Sequence, residues 1–199
     1  MAKIKSSAAT KTSKADIFMS IKPEHINNIS LRLKNHEYRR YLLPPTVRRI
    51  WFYTTAPLSR LEYVDRISHG KVPGEVQEDG GFGNADFNAG RKLSKYGYEI
   101  LDLWKLNEGV SLREAVTREI LKGPPQKYCW ASLAFLESCP LDRQDHIFSR
   151  EAQEEESPTK TDPTTEECKE ATLKDGQDHA NSKTLEERPI KRRQKPDLE

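Results

Sequence analysis

The stretch that decides the fold is residues 33–57. It has two arms, residues 33–41, Leu-Lys-Asn-His-Glu-Tyr-Arg-Arg-Tyr, and residues 48–57, Arg-Arg-Ile-Trp-Phe-Tyr-Thr-Thr-Ala-Pro. Tyr, Ile, Trp, Phe and Thr favour strands, and the Pro44-Pro45 pair between the arms predicts a turn. We therefore expect two neighbouring strands, although the charges inside them are unusual for a buried sheet.

Charged side chains in the first arm share one face of the predicted strand. If residues 36–41 are extended, successive side chains point to opposite faces, so Glu37, Arg39 and Tyr41 lie together. Lys34 stands just before the strand, within reach of that face. The spacing predicts a cluster of two cations and a carboxylate.

The run Lys34-x-x-Glu37-x-Arg39, just after a short helix, resembles the ASCH family of the PUA-like superfamily, whose pattern is roughly Gly-x-Lys-x-x-Glu-x-Arg. Residues 18–23, 51–57 and 124–126 are similar to further parts of that pattern. Leu31-Arg32-Leu33 departs from it, because the family usually has Gly two residues before the Lys. The resemblance covers about residues 16–148 and implies the fold more specifically than the activity.

Strands that alternate with two short helices predict an α+β fold, a small mixed β-sheet curled into a PUA-like partial barrel with helices on its rim. A helix should begin at Lys22-Pro23 and dock through Ile26, Ile29 and Leu33. Ser111 and Glu114 form a capping box for another. The predicted strands cover residues 16–21, 36–41, 49–55, 60–67, 96–106 and 128–135, with a helix over 130–137 as the alternative for the last.

Two of these segments have special positions. Residues 60–67 have no clean apolar face, which predicts an edge strand. Residues 69–90 form a long Gly-rich loop, and Asn84 and Asp86 within it favour a functional lid. Its Gly81-Phe82-Gly83 run lacks the third Gly of a dinucleotide-binding fingerprint, so no cofactor is expected.

The ends of the chain differ from its middle. All sixteen aromatic residues lie between Phe18 and Phe148. We expect a basic flexible arm (residues 1–15), a folded domain (16–148) and a disordered tail (149–199). The net charge is +7 for residues 1–150, from 24 Lys and Arg against 17 Asp and Glu, and −5 for residues 151–199, from 9 against 14. A basic domain suits a polyanionic partner.

Three cysteines without Cys-x-x-Cys spacing argue against a disulfide framework or a zinc site. No apolar run approaches 18 residues and no signal-peptide core follows the N-terminus. We expect a soluble intracellular monomer with no membrane partner, no metal and no cofactor.

The ASCH resemblance implies a cleft where the first helix, the Lys34 turn and the long loop converge. Lys22, Lys34, Glu37 and Arg39 would line it and bind RNA, single-stranded nucleic acid or a modified nucleotide through phosphate and a base edge. Asn84 and Asp86 would contribute from the loop, and Tyr53 is either a base-stacking ring or a core residue. The alternative for the cluster is a Glu37–Arg39 pair with Lys34 in solvent.

An enzyme is the second hypothesis, because some ASCH relatives resemble a small amidohydrolase that acts on acetylated cytidine through a Lys, a Thr and a Glu. Lys34 and Glu37 would then be catalytic. Glu37 stands where that group has its Thr, so Thr54 or Thr55 would have to supply the hydroxyl. A nuclease and a nuclear protein-interaction adaptor are further alternatives.

The tail carries the basic run 188–196, Arg-Pro-Ile-Lys-Arg-Arg-Gln-Lys-Pro. This run predicts an import signal through Lys191, Arg192 and Arg193, and hence an import receptor as partner and the nucleus as location, with the cytoplasm as a second location. The alternatives are a weak nucleic-acid tether and a solvated charge run.

Overall fold

The computed structural model describes residues 11–150, which form seven strands and four short helices. The strands are β1 (Thr12–Ile21), β2 (His36–Arg39), β3 (Arg49–Thr54), β4 (Arg60–Lys71), β5 (Tyr96–Ser111), β6 (Cys129–Ser132) and β7 (Asp145–Ser149). The helices are α1 (Pro23–Ser30), α2 (Asn84–Asn88), α3 (Leu112–Thr117) and α4 (Leu133–Ser138). The basic run of the tail, Cys168 and most of the predicted arm lie outside the described residues.

The strands form one mixed sheet in the order β2-β5-β4-β3-β1-β6. β1 and β3 are parallel, the other pairs are antiparallel, and β7 adds to β5 beyond the end of β2. Arg39 Nη2 of β2 donates to the Ser20 carbonyl of β1 over 2.8 Å, so a side chain joins two strands that no ladder connects. The sheet is curled but not closed, which confirms the predicted α+β partial barrel.

Both faces of the sheet are covered, as the apolar runs in β1 and β3 require. Ile17, Met19, Ile50 and Phe52 belong to one buried cluster, which α1 covers with Ile26 and Ile29. The alternate residues Phe18, Trp51 and Tyr53 belong to a second cluster, which Ala115 of α3 and Phe135 of α4 complete.

Helix α1 begins as the sequence predicts, with Pro23 in its first turn, where a missing N–H is tolerated. Ile26 and Ile29 are buried, but Leu33 is 44% exposed because the helix ends before it. The prediction that Leu33 helps to dock the helix was therefore wrong.

The two arms of the opening stretch are strands but not neighbours, so that part of the prediction was wrong. β2 pairs with β5, whereas β3 lies between β1 and β4. The segment between β2 and β3, residues 40–48, is too long for the two-residue turn of a tight hairpin, and it carries the chain to a different part of the sheet.

β4 is an inner strand, not the predicted edge strand, because it pairs with both β3 and β5. Its polar side chains are of two kinds: Arg66 has a cross-strand partner in Asp102 of β5, whereas Asp65 is buried without a hydrogen-bond partner among the described residues. The prediction treated the mixed polar pattern as exposure, whereas here it reflects an ion pair within the sheet and a buried carboxyl group.

The helix predicted after the capping box is α3, and Ser111 accepts from the Glu114 N–H over 3.2 Å. Residues 128–138 hold both alternatives in succession, the short strand β6 and then α4. The last described strand is β7, which the sequence did not predict.

Candidate nucleic-acid interface

The turn between α1 and β2 sets the position of the candidate site. The Lys34 N–H donates to the Asn28 carbonyl over 3.0 Å, and Arg32 takes the left-handed conformation with φ 59°. A left-handed residue after a helix ends it sharply. Lys34 is consequently directed into the protein, where it is only 7% exposed.

Glu37 contacts two cations at once. Lys34 Nζ lies 2.5 Å from Glu37 Oε2, and Arg39 Nη2 lies 2.9 Å from Glu37 Oε1. Lys34 Nζ also donates to the His36 carbonyl over 2.5 Å. The three charged residues thus form one cluster at the start of β2, and Lys34 is not in solvent.

The cluster fixes the charge of Glu37. Burial alone would raise the pKa of Glu37, but the charges of Lys34 and Arg39 outweigh it and hold the pKa below its usual value. Both oxygens of this ionised carboxylate already contact a cation, Lys34 at Oε2 and Arg39 at Oε1. Glu37 therefore positions the two cations and has little capacity left for a base edge.

A cleft of about 300 Å³ opens beside the cluster. The Arg39 side chain is 20% exposed. The Lys22 side chain is 71% exposed, and its Nζ lies 3.8 Å from Glu24 Oε1. Three of the predicted site residues, Lys22, Glu37 and Arg39, line this cleft. The other lining residues are Ser20, Ile21, His25, Tyr38 and Thr55.

His25 is a lining residue that the sequence did not single out. Burial lowers the pKa of His25, opposed by the charge of Glu37 and assisted by that of Lys34. The imidazole is therefore neutral at pH 7 and can donate or accept one hydrogen bond. Its position in the first turn of a helix that begins at Pro23 was the available signal.

Lys34 lines a second cavity, of about 320 Å³, between the α1–β2 turn and residues 79–82. Because Lys34 and Glu37 are paired and line different cavities, their ion pair separates the two. The sequence predicted a single cleft, and the structure divides it.

The other predicted site residues do not line the Arg39 cleft. Tyr53 is 2% exposed within the second hydrophobic cluster, so it is the core residue of the two alternatives and offers no ring face to a base. Asn84 is 1% exposed and accepts from the Tyr38 hydroxyl over 2.6 Å, which makes it structural. Asp86 pairs with Arg91 over 2.7 Å at the surface, on the rim of a shallow depression.

Asp65 of β4 carries a buried carboxyl group, on the same face of the strand as Ile67 of the first hydrophobic cluster. It is 0% exposed, and neither oxygen has a hydrogen-bond partner among the described residues. Burial, with a smaller effect from the negative charge of Glu37, raises its pKa well above the usual value. Its register between Ile50 and Leu103 places it in the interior, a position that the mixed pattern of residues 60–67 concealed.

Within residues 11–150, no group of three or more His, Cys, Asp and Glu is placed to hold a metal ion. No helix in that range has the length and apolar character needed to cross a membrane.

These features define a class, the open α+β partial barrel with a charged cluster beneath its first helix. The structure is similar to the crystal structure of ASCH from Zymomonas mobilis, with a TM-score of 0.52 and 17% identity over 67% of this chain and 98% of that chain. Two mutants of the same bacterial protein match with TM-scores of 0.48, at 18% and 14% identity. They cover 64% and 66% of this chain, and 95% and 100% of theirs.

The chain therefore has an ASCH-like fold, as the Lys34-x-x-Glu37-x-Arg39 pattern implied. No family model matches the sequence, and comparison with curated proteins gives no match.

Proposed function

We propose that this protein binds RNA, another single-stranded nucleic acid or a modified nucleotide in the cleft lined by Arg39. The observation that carries the proposal is the Arg39 guanidinium, which Glu37 and the Ser20 carbonyl hold in place while part of it faces the cleft. A cation held in one orientation loses little entropy when it binds phosphate, and the part of the guanidinium that Ser20 and Glu37 leave free can donate to it.

Lys22 adds a mobile cation at the mouth of the cleft, because its side chain is mostly exposed. In this arrangement Lys22 and Arg39 contact phosphate, while Glu37 and Lys34 hold Arg39 in place from behind. Neutral His25 is available for a hydrogen bond to the sugar or the base. Base selectivity then comes from the lining polar groups and not from Glu37.

Binding of a labelled single-stranded RNA, followed by fluorescence anisotropy, tests this proposal. Arg39→Lys keeps the charge but removes the oriented guanidinium, so we expect affinity to fall roughly tenfold, the cost of one charge-assisted contact. Lys22→Gln should weaken binding less because its side chain is solvated. Lys122→Gln, at an exposed position outside the cleft, is the control. Wild-type affinity in both cleft variants contradicts the proposal.

A hydrolytic activity is the second candidate, because Thr55 lines the same cleft as Glu37 and supplies a hydroxyl there. Release of acetate from acetylated cytidine by the purified protein, abolished in Thr55→Val and retained in Thr55→Ser, would establish it. Binding without turnover supports the binding module. If no nucleic acid or nucleoside is bound or converted, the adaptor hypothesis replaces both.

We propose import into the nucleus through Lys191, Arg192 and Arg193, on the basis of their clustering between prolines. Replacing all three with Ala in a fluorescent fusion too large for passive diffusion should lower the nuclear-to-cytoplasmic ratio. An unchanged ratio contradicts the import signal and leaves the cleft proposal unaffected.

A further inference from the structure

The second cavity has the features of a binding site. Its volume of about 320 Å³ is within the range of small-ligand pockets. The α1–β2 turn forms one side, the Gly80–Phe82 segment another, and Phe148 of β7 a third. Apolar and aromatic walls with a few charged groups are typical of such pockets.

Phe82 is a large aromatic residue on a fixed backbone, yet its side chain is half in solvent. It is 52% exposed, while its N–H donates to the Leu33 carbonyl over 2.8 Å. Asn84, the buried residue two positions later, accepts from Tyr38 and donates to Asp79. The ring is thus held at the cavity edge without a ring partner among the described residues, as a stacking surface would be.

Arg32 supplies a cation on the wall of the same cavity. Its guanidinium lies 4.8 Å from the centre of the Phe148 ring, and no ion pair is found for it within residues 11–150. Most other cations near the site have a carboxylate partner, such as Arg150 with Glu99. A guanidinium without an ion pair, in the same cavity as an exposed aromatic ring, suits a ligand that carries both an anion and an aromatic ring.

The cavity also adjoins the proposed nucleotide cleft. The Lys34–Glu37 pair links their walls, because Lys34 lines the second cavity and Glu37 lines the cleft. A chain that places one nucleotide against Arg39 therefore brings its neighbour towards Arg32 and Phe82. Free phosphate or a single aromatic compound would use only one of these cavities.

We propose that this second cavity holds the base of an adjacent nucleotide, stacked on Phe82, with its phosphate on Arg32. The inference rests on the proposed function and deepens it, because it makes a single-stranded chain of at least two nucleotides the preferred ligand over a mononucleotide.

Two matched oligonucleotides test the proposal. Both are single-stranded DNAs of about ten nucleotides, within the usual site size, and one of them carries abasic sugars in its central positions. Phe82→Ala should weaken binding of the intact strand by on the order of tenfold and leave binding of the abasic strand unchanged, since only stacking is removed. Arg32→Gln should weaken the binding of both strands and reduce the salt dependence of that binding.

Leu93→Ala and Arg113→Gln are the matched controls, because both residues are exposed and neither lines the cavity. The proposal is supported if Phe82→Ala discriminates between the strands and the controls do not. If Phe82→Ala and Arg32→Gln bind both strands like the wild type while Arg39→Lys is weakened, the second cavity is not a base site and the proposed function stands. If Arg39→Lys is also unchanged, both proposals fail.

Discussion

At the residue scale, the buried charges around Glu37 set the constraints on any experiment. Lys34 and Glu37 are each less than a tenth exposed, and their ion pair is 2.5 Å long. Removing one partner leaves the other charge buried without compensation, which typically costs about 3–5 kcal/mol. Loss of binding in a variant of either residue would therefore reflect unfolding as well as chemistry.

The first prediction uses this coupling. Lys34→Met and Glu37→Gln should each lower the free energy of unfolding by about 3 kcal/mol, and the double variant should lose clearly less than the sum of the two. Urea unfolding of the four proteins measures the coupling. Additive losses would show that the two side chains are not paired in solution.

A second prediction concerns Asp65, whose pKa in the folded protein lies above the value of about 3.8 that it has when unfolded. Between these two pKa values the folded state holds a proton that the unfolded chain has released. Stability contributed by Asp65 is therefore fully present below about pH 4 and declines as the pH rises.

Asp65→Asn removes this titration while keeping the size of the side chain. Its free energy of unfolding relative to the wild type should increase from pH 4 towards pH 8, as measured by urea unfolding across that range. Parallel stability curves for the two proteins would mean that Asp65 is ionised or hydrated in the fold.

At the scale of elements, the segment that carries Phe82 depends on a glycine. A Cβ atom at Gly81 would lie 2.3 Å from Asn35 Oδ1 and 2.8 Å from Asn84 Nδ2. Both atoms belong to the side-chain network that ties this segment to the α1–β2 turn, so neither can move without loss of a hydrogen bond.

The third prediction is that Gly81→Ala loosens this segment without unfolding the sheet. Amide hydrogen exchange should increase for residues 79–83 and for the α1–β2 turn, while β3 and β4 remain protected. Ala85→Gly, in the exposed first turn of α2, tests whether any change in the neighbouring sequence has the same effect. Unchanged exchange in Gly81→Ala would show that the network tolerates the methyl group.

Local signals in the sequence predicted which helices and strands form better than they predicted which strands pair with each other. Pro23 at a helix start and Ser111 with Glu114 as a cap act within a few residues, so the sequence reveals them directly. The ladder between β2 and β5 joins residues about sixty positions apart, and no local pattern encodes it. The Glu37–Arg39 pairing on one strand face was predictable from period-two alternation, whereas the contact of Arg39 with Ser20 was not.

At the scale of the whole molecule, the amino-acid composition predicts a basic domain followed by an acidic tail. β1 begins at Thr12 and so extends into the predicted arm, and β7 reaches Ser149, where composition placed the start of the tail. The division into arm, domain and tail stays a prediction. Asp65 and the second cavity were not predictable because both depend on how the curled sheet brings distant strands together.

The fourth prediction tests the role of the tail in folding. A chain that ends at Arg150 keeps β7 and should melt within roughly a few degrees of the full-length protein, because residues 151–199 contain no aromatic side chain to bury. Differential scanning calorimetry of the two proteins measures this. A large decrease in Tm would show that the tail packs on the domain.

The salt dependence of RNA binding tests the central claim most directly, because contacts between cations and phosphates release counterions from the strand. We predict that log Kd rises linearly with log salt concentration, and that Lys22→Gln lowers the slope by about one contact. The Lys122→Gln control should keep the wild-type slope. An affinity independent of salt, or a Lys22→Gln slope equal to that of the wild type, would contradict phosphate binding in the Arg39 cleft.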